Sequence, residues 1–160
     1  MYIYTKPILL KYFIISNRIE GIDDENEAIA QEEFFWDTLQ MCDEQVMYLL
    51  HSKMNYLNDY CKAGELRDYD VFVGGRKCLA PKHIELKLEE LFKEMPTTSE
   101  AIKDWHVRFE KIHPFGDWNG RTGRFLMLRH IWNANIEIPE ILRDDTNFEA
   151  NRQEYYRWFS

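Results

Sequence analysis

The sequence predicts a mostly α-helical domain carrying one short β-hairpin, and three observations predict it. Apolar residues recur at three- and four-residue spacing in several separate stretches, the mark of helices with one buried face. Residues 68–77 alternate as a strand does and contain Gly74-Gly75, a pair suited to a tight turn. Between two helical stretches runs His113 to Arg124, punctuated by Pro114, Gly116, Gly120 and Gly123. With 160 residues, 45% hydrophobic and 15% aromatic, the chain is one ordinary domain able to bury its own core.

Residues 1–15 mix aromatic, aliphatic and lysine residues with no single period, so a short strand, an extended arm and the lead-in to a helix all fit. The apolar run 7–15 is broken by Lys11 and too short to span a bilayer. It lacks the cleavage pattern of a signal peptide and is expected to pack into the fold. Ser16 reads as a helix N-cap and Gly21 as a helix stop. Residues 23–33 are acidic, a loop passing into a helix whose first turn welcomes carboxylates. From Phe34 to Tyr60, Leu39, Val46, Leu49, Leu50 and Leu57 recur at helical spacing, giving one or two core helices, and Gly64 reads as the residue that ends them.

In the hairpin, Tyr69, Val71 and Val73 alternate with Asp70 and Phe72. Pro81 opens a helix with Ile84, Leu88, Leu91, Phe92 and Met95 inside and Lys87, Glu89, Glu90 and Lys93 outside. Residues 96–99 form a linker, and Ser99 and Glu100 begin a helix whose buried stripe is Ile102, Trp105, Phe109 and Ile112. A helix at 125–135 follows, then a break at Pro139 and Arg143-Asp144-Asp145. Residues 147–160 close the chain as a last helix.

A net charge of −8 argues against a nucleic-acid backbone as main partner, because no basic surplus exists to release counterions. Cys42, Cys61 and Cys78 are odd in number and widely spaced, which suggests neither a zinc site nor a disulfide framework. A reduced, cytoplasmic chain is the simpler expectation.

The stretch from His113 to Arg124 concentrates chemistry. A loop running into a helix N-terminus offers unpaired N–H groups and a positive dipole end to an anion. Arg121 and Arg124, three residues apart, add phosphate donors on one face. Asp117 suits a hard cation such as Mg2+, Asn119 supplies donor and acceptor, and His113 can be neutral at pH 7 and act as a general base. Together they describe a nucleotide site. His106 reads as a hydrogen-bonded core residue, while His51, His83 and His130 have no partner at a telling spacing.

This stretch resembles the signature of Fic-domain proteins, His-Pro-Phe-x-Asp/Glu-Gly-Asn-Gly-Arg-x-x-Arg, with Trp118 where the family has Gly. The resemblance extends upstream to residues 105–112 and to Gly64-Glu65-Leu66-Arg67 with Val71-Phe72-Val73-Gly74-Gly75, similar to the family's flap region. Ser16 and Glu20-Gly21 are similar to the pattern of an inhibitory helix, here expected within 14–24 of a single 1–160 domain.

The resemblance implies a Fic fold and transfer of AMP from ATP, with Mg2+, to a Ser, Thr or Tyr hydroxyl of a target protein that the sequence does not name. His113 would be the base and Asp117 the Mg2+ ligand. Asn119 would meet the α-phosphate, Arg121 the β-phosphate and Arg124 the γ-phosphate, with backbone N–H groups from Trp118 to Thr122 around the anion and Gly120 and Gly123 among the nucleotide-binding residues. Glu20 would inhibit by pairing with Arg124. Val71, Phe72, Val73 and Gly74 would dock the target by main-chain pairing. No nucleic acid or membrane is implied, and a homo-oligomer stays open.

Removal of AMP from a modified protein is an alternative. So is a nucleotide-binding module impaired by Trp118, whose bulk is strained wherever φ is positive.

Overall fold

The computed structural model describes residues 2–55 and 61–160. Among them are seven α-helices and one two-stranded antiparallel sheet, the mostly α architecture that the sequence predicts. Leu57, placed in the core stripe above, lies outside the described residues.

The N-terminal ambiguity resolves as helix α1, Lys6–Ile19, with Pro7 in its first turn, where a missing N–H costs nothing. Leu9, Tyr12, Phe13, Ile15, Ser16, Asn17 and Ile19 are all buried. Ser16 is therefore in the last part of a running helix rather than an N-cap, which corrects the expectation. The stop at Gly21 holds: φ is 74°, Gly21 N donates to Arg18 O (2.9 Å) and Ile22 N to Asn17 O (3.0 Å). Those paired bonds close the helix as only a residue without a Cβ does comfortably. The segment 14–24 is thus the end of α1 plus this turn, not a helix of its own.

Helix α2, Glu25–Asp37, starts at Asp24, whose carboxylate accepts from Asn26 N (2.9 Å), with Glu25 and Glu27 in the first turn. Helix α3, Asp43–Met54, buries Val46, Met47, Leu50 and His51. Leu49 is 46% exposed, because it points about 100° away from Leu50 around the helix, and so leaves the predicted stripe. Gly64 does not end α3. It turns the chain at φ 75° against Ser52, where a Cβ would come within 2.9 Å of the serine Cβ.

The hairpin is shorter than its alternation suggests. β1 (Phe72–Val73) pairs antiparallel with β2 (Arg76–Lys77) around Gly74 and Gly75, both at positive φ. All four strand residues are exposed, so no buried face sustains a longer ladder. A 3-10 turn at Pro81–His83 leads to α4, Ile84–Phe92, which buries Ile84, Leu88 and Leu91. Met95 lies beyond its end and is 75% exposed.

Helix α5, Ser99–Ile112, is capped by the Thr98 hydroxyl on Ala101 N (3.2 Å) and buries the predicted stripe together with His106. Helix α6, Asn119–Ala134, begins six residues earlier than the periodicity indicates. A 3-10 turn at Glu140–Leu142 precedes α7, Phe148–Arg157.

α6 is the central element, with α1, α3 and α5 packed around it. On one side Phe125 meets Phe13 (5.5 Å between rings), Phe34 (5.7 Å) and Phe35 (5.9 Å). On the other, Leu126 joins Trp105, Phe109, Phe115 and the buried face of α4. No described helix is long and apolar enough to cross a membrane.

Candidate active site

Helix α5 delivers His113 and stops there. His113 takes a left-handed conformation (φ 51°, ψ 65°) that more often belongs to Gly or Asn at a helix end. Arg67, 5% exposed, holds this corner. Its guanidinium donates to the carbonyls of His113 (2.6 Å), Ile112 (3.1 Å), Tyr69 (2.9 Å) and Leu79 (2.6 Å), and its backbone N–H donates to Pro114 O (3.0 Å). One cation thus ties the end of α5 to the base of the hairpin. Burial lowers the His113 pKa, against a hydrogen bond from its ring to the Glu110 carbonyl that acts the other way. The imidazole is therefore neutral at pH 7, as a general base requires.

The loop after His113 is braced from inside. Phe115 is fully buried and stacks on His51, with ring centroids 3.7 Å apart. Gly64 N donates to His51 Nδ1 (2.8 Å), which places the ring proton on Nε2 for donation to Asp117 O (2.9 Å). The Asn119 side chain closes on Phe115, accepting from its N–H and donating to its carbonyl, both at 2.8 Å. Asn119 is 2% exposed, and in this structure its amide holds the loop. Asp117 is exposed, and its carboxylate accepts from Trp118 N (2.7 Å).

Trp118 occupies the N-cap of α6 at φ 66°, ψ 21°. The left-handed conformation confirms why Gly is the easy residue there, and a bulky side chain bears a strain of about 1–3 kcal/mol. Trp118 makes no side-chain cap bond, so the first turn of α6 keeps its N–H groups for an anion. Trp118 N is already bonded to Asp117, and Thr122 N donates to Trp118 O (3.2 Å). The anion-facing set narrows to Asn119, Gly120 and Arg121. Thr122 itself is fully buried, and Gly123 packs so closely against α5 that a Cβ would strike Glu110.

Both motif arginines are engaged. Arg124, 1% exposed, donates to Ser16 Oγ (2.7 Å), Ser16 O (3.0 Å), Glu20 Oε1 (2.7 Å) and Tyr155 Oη (3.0 Å). Ser16 and Glu20 thus reach the same cation from one face of α1. Burial would raise the Glu20 pKa, but the Arg124 charge overrides it and holds the carboxyl below its usual range. The Glu20 carboxylate lies over Gly120, where a Cβ would be 2.5 Å from Oε1. Arg121 donates to Glu27 Oε1 (3.2 Å) and lies over the Trp118 ring, 3.9 Å from its centroid.

The hairpin stands beside this loop, with the Tyr69 hydroxyl packed against Gly116. Phe72 is 65% exposed and Val73 52%, and Gly74 is exposed too. Val71 is half-buried, and its carbonyl accepts from Cys78 N (3.0 Å). No group of three or more His, Cys, Asp or Glu residues gathers for a metal among the described residues. Asp117 presents one exposed carboxylate, and Mg2+ as a rule keeps several waters and takes one or two carboxylates.

Glu27, His51, Arg67 and Tyr155 are site residues that the sequence did not single out for these roles. His106 is the core residue expected, fully buried and bonded to Tyr155 Oη (2.9 Å). His130 pairs with Asp43 (3.0 Å) away from the site.

Comparison with known proteins places this arrangement. A Fido domain-containing protein of Dictyostelium discoideum is 33% identical over 92 residues, 52% of this chain and 64% of that protein. The protein adenylyltransferase fic-1 of Caenorhabditis briggsae is 30% identical over 114 residues, 67% of this chain and 21% of that protein. The protein adenylyltransferase Fic of Culex quinquefasciatus is 31% identical over 107 residues, 61% of this chain and 20% of that protein. The chain therefore spans less than two thirds of the length of these relatives. A Fic family protein from Desulfovibrio desulfuricans has the same fold, with a TM-score of 0.66 at 18% identity over 95% of this chain and 56% of that chain. The Fic/DOC family model matches residues 41–131, more than half of the chain and the whole of the His113–Arg124 loop, and the chain belongs to that family.

Proposed function

We propose that this protein is a Fic-type adenylyltransferase held in check by Glu20. The observation that carries the reading is the convergence of a neutral His113, an uncapped α6 N-terminus and two arginines on one face. His113 would take the proton of a target Ser, Thr or Tyr hydroxyl as its oxygen bonds to the α-phosphorus of ATP. The bond to the bridging oxygen breaks, and pyrophosphate leaves. The N–H groups of Asn119, Gly120 and Arg121 would hold the α-phosphate, Arg121 the β-phosphate and Arg124 the γ-phosphate. Asp117 would hold Mg2+, which neutralises charge on the leaving pyrophosphate. The exposed tip of the hairpin would receive the target as an added strand. Glu20 opposes this chemistry because a carboxylate and a phosphate compete for one guanidinium.

The test uses α-labelled ATP and Mg2+ with wild type, Glu20→Gly and Glu20→Gly/His113→Ala, following label on the protein itself. Label that appears with Glu20→Gly and vanishes in the double variant is the expected result. Absence of label from every variant, with ATP bound normally, overturns the transferase.

The position of the Glu20 carboxylate over Gly120 favours a second reading, in which it orients water for hydrolysis of protein-bound AMP. AMP release from a modified protein, lost with Glu20→Gly, distinguishes it. The strained Trp118 favours a third, a nucleotide-binding module without turnover, which neither assay would label or release.

A further inference from the structure

Arg121 and Arg124 are held very differently. Arg124 makes four hydrogen bonds at 2.7–3.0 Å. Arg121 reaches Glu27 Oε1 at 3.2 Å, long for a charge-assisted bond, and its buried Nε finds no partner among the described residues. The guanidinium lies over the Trp118 ring and reaches Glu27 in the first turn of α2. A cation with unused donors is restrained without being satisfied, and a phosphate with two oxygens would satisfy it better. Glu27 is only 20% exposed and has left water to make this pair, 94 residues along the chain. Burial raises its pKa despite Arg121.

Resting on the reading of this site as a nucleotide site, we propose that Glu27 and Trp118 set how many phosphates the bound nucleotide carries. While they hold Arg121 between them, the site takes a nucleoside monophosphate group, and a second phosphate enters only when Arg121 leaves Glu27. The backbone N–H groups of Asn119, Gly120 and Arg121 serve one phosphate. Beyond it stand two carboxylates, Glu27 and Glu20, each on the arginine that a further phosphate would need. Like charges repel there, so each added phosphate must displace one carboxylate. The weaker pair, Arg121 with Glu27, gives way first.

Calorimetric titration of the full chain with AMP, ADP and ATP in Mg2+ tests the order. Glu27→Gln keeps the shape of the side chain and removes its charge. The expected result is an ADP-to-AMP affinity ratio raised about tenfold by Glu27→Gln. Glu20→Gly should instead raise the ATP-to-ADP ratio. Trp118→Gly, which frees the other side of Arg121, should move the ADP-to-AMP ratio in the direction of Glu27→Gln. Thermal melts establish that each variant is folded.

An ADP-to-AMP ratio that is unchanged or lowered in Glu27→Gln makes Glu27 a support that positions Arg121 for phosphate, and the proposal falls alone. Failure of every variant to bind any of the three nucleotides removes the nucleotide site, and the proposal with it.

Discussion

Glu110 sits one helical turn before His113, and the fold keeps its carboxyl group from water. Its Oε1 has no hydrogen-bond partner among the described residues. Burial pushes its pKa up to about 8, with Arg124 acting against the shift and Glu20 adding to it. His106, on the same helix, is pushed down to about 3 by burial, with Arg124 adding to it. The two have opposite consequences. Glu110, raised above its ordinary value of 4.5, contributes fully below that pH, and its contribution is lost as pH rises toward 8. His106, lowered from 6.5, contributes fully above 6.5, and its contribution is lost as pH falls toward 3. Stability should therefore decline from pH 6.5 to 8 by up to about 1.4 kcal/mol per unit, and Glu110→Gln should flatten that limb. Urea titrations of both proteins at the two pH values check this, and an equal decline in the variant assigns it to another group. The motif residues are legible in the sequence because they lie within one twelve-residue window. Glu27, His51, Arg67 and Tyr155 join the site from 94, 66, 46 and 31 residues away; Arg67 lies in the flap-like stretch, and nothing beside the other three in the chain marks them.

The contact of α5 with α6 fixes the distance between His113 and the arginines. Gly123 is its closest point: a Cβ would strike Glu110 and lie 3.0 Å from His106 Cε1 and Phe109 Cδ1. Gly123→Ala would gain about 1 kcal/mol of helix propensity; the Glu110 carboxyl can turn aside, but the buried His106 and Phe109 rings must also give way, at a cost of about 1–3 kcal/mol. Overpacking wins, so the variant should be less stable in urea. A variant as stable as wild type would mean the side chains around Gly123 give way freely. The elements that periodicity locates, α4 and α5, each bury one stripe, α4 against α5 and α5 between α4 and α6. Helix α1 escapes that reading because it buries residues around much of its circumference, which leaves no single 3.6-residue stripe. The early start of α6 escapes it too, since Asn119, Gly120 and Gly123 are poor helix formers held there by packing and by the braced loop.

Across the whole molecule, the Glu20 carboxylate that pairs with Arg124 caps a helix that belongs to the core. Phe13, Tyr12, Leu9, Ile15 and Ile19 are each no more than 2% exposed, and Tyr12 Oη donates to the Arg124 carbonyl (2.6 Å). Each such side chain is worth about 1.5–3 kcal/mol when buried, so their sum rivals the 5–15 kcal/mol that holds a domain together. Removal of residues 1–19 should therefore unfold the protein rather than activate it, which circular dichroism and a thermal melt will show. A truncated chain that stays folded and labels itself would make α1 detachable after all. Any movement of Glu20 away from Arg124 would then have to come from its own side chain and the Gly21 turn beyond it. The Arg67 clamp has a different kind of consequence, one for protein engineering. It separates the hairpin into two parts: an anchored base, where Tyr69 and Leu79 offer carbonyls to the guanidinium, and an exposed tip at 72–77 that contributes nothing to the core. The tip is a modular graft site, replaceable by a loop of another length or chemistry while the base keeps the histidine corner in register.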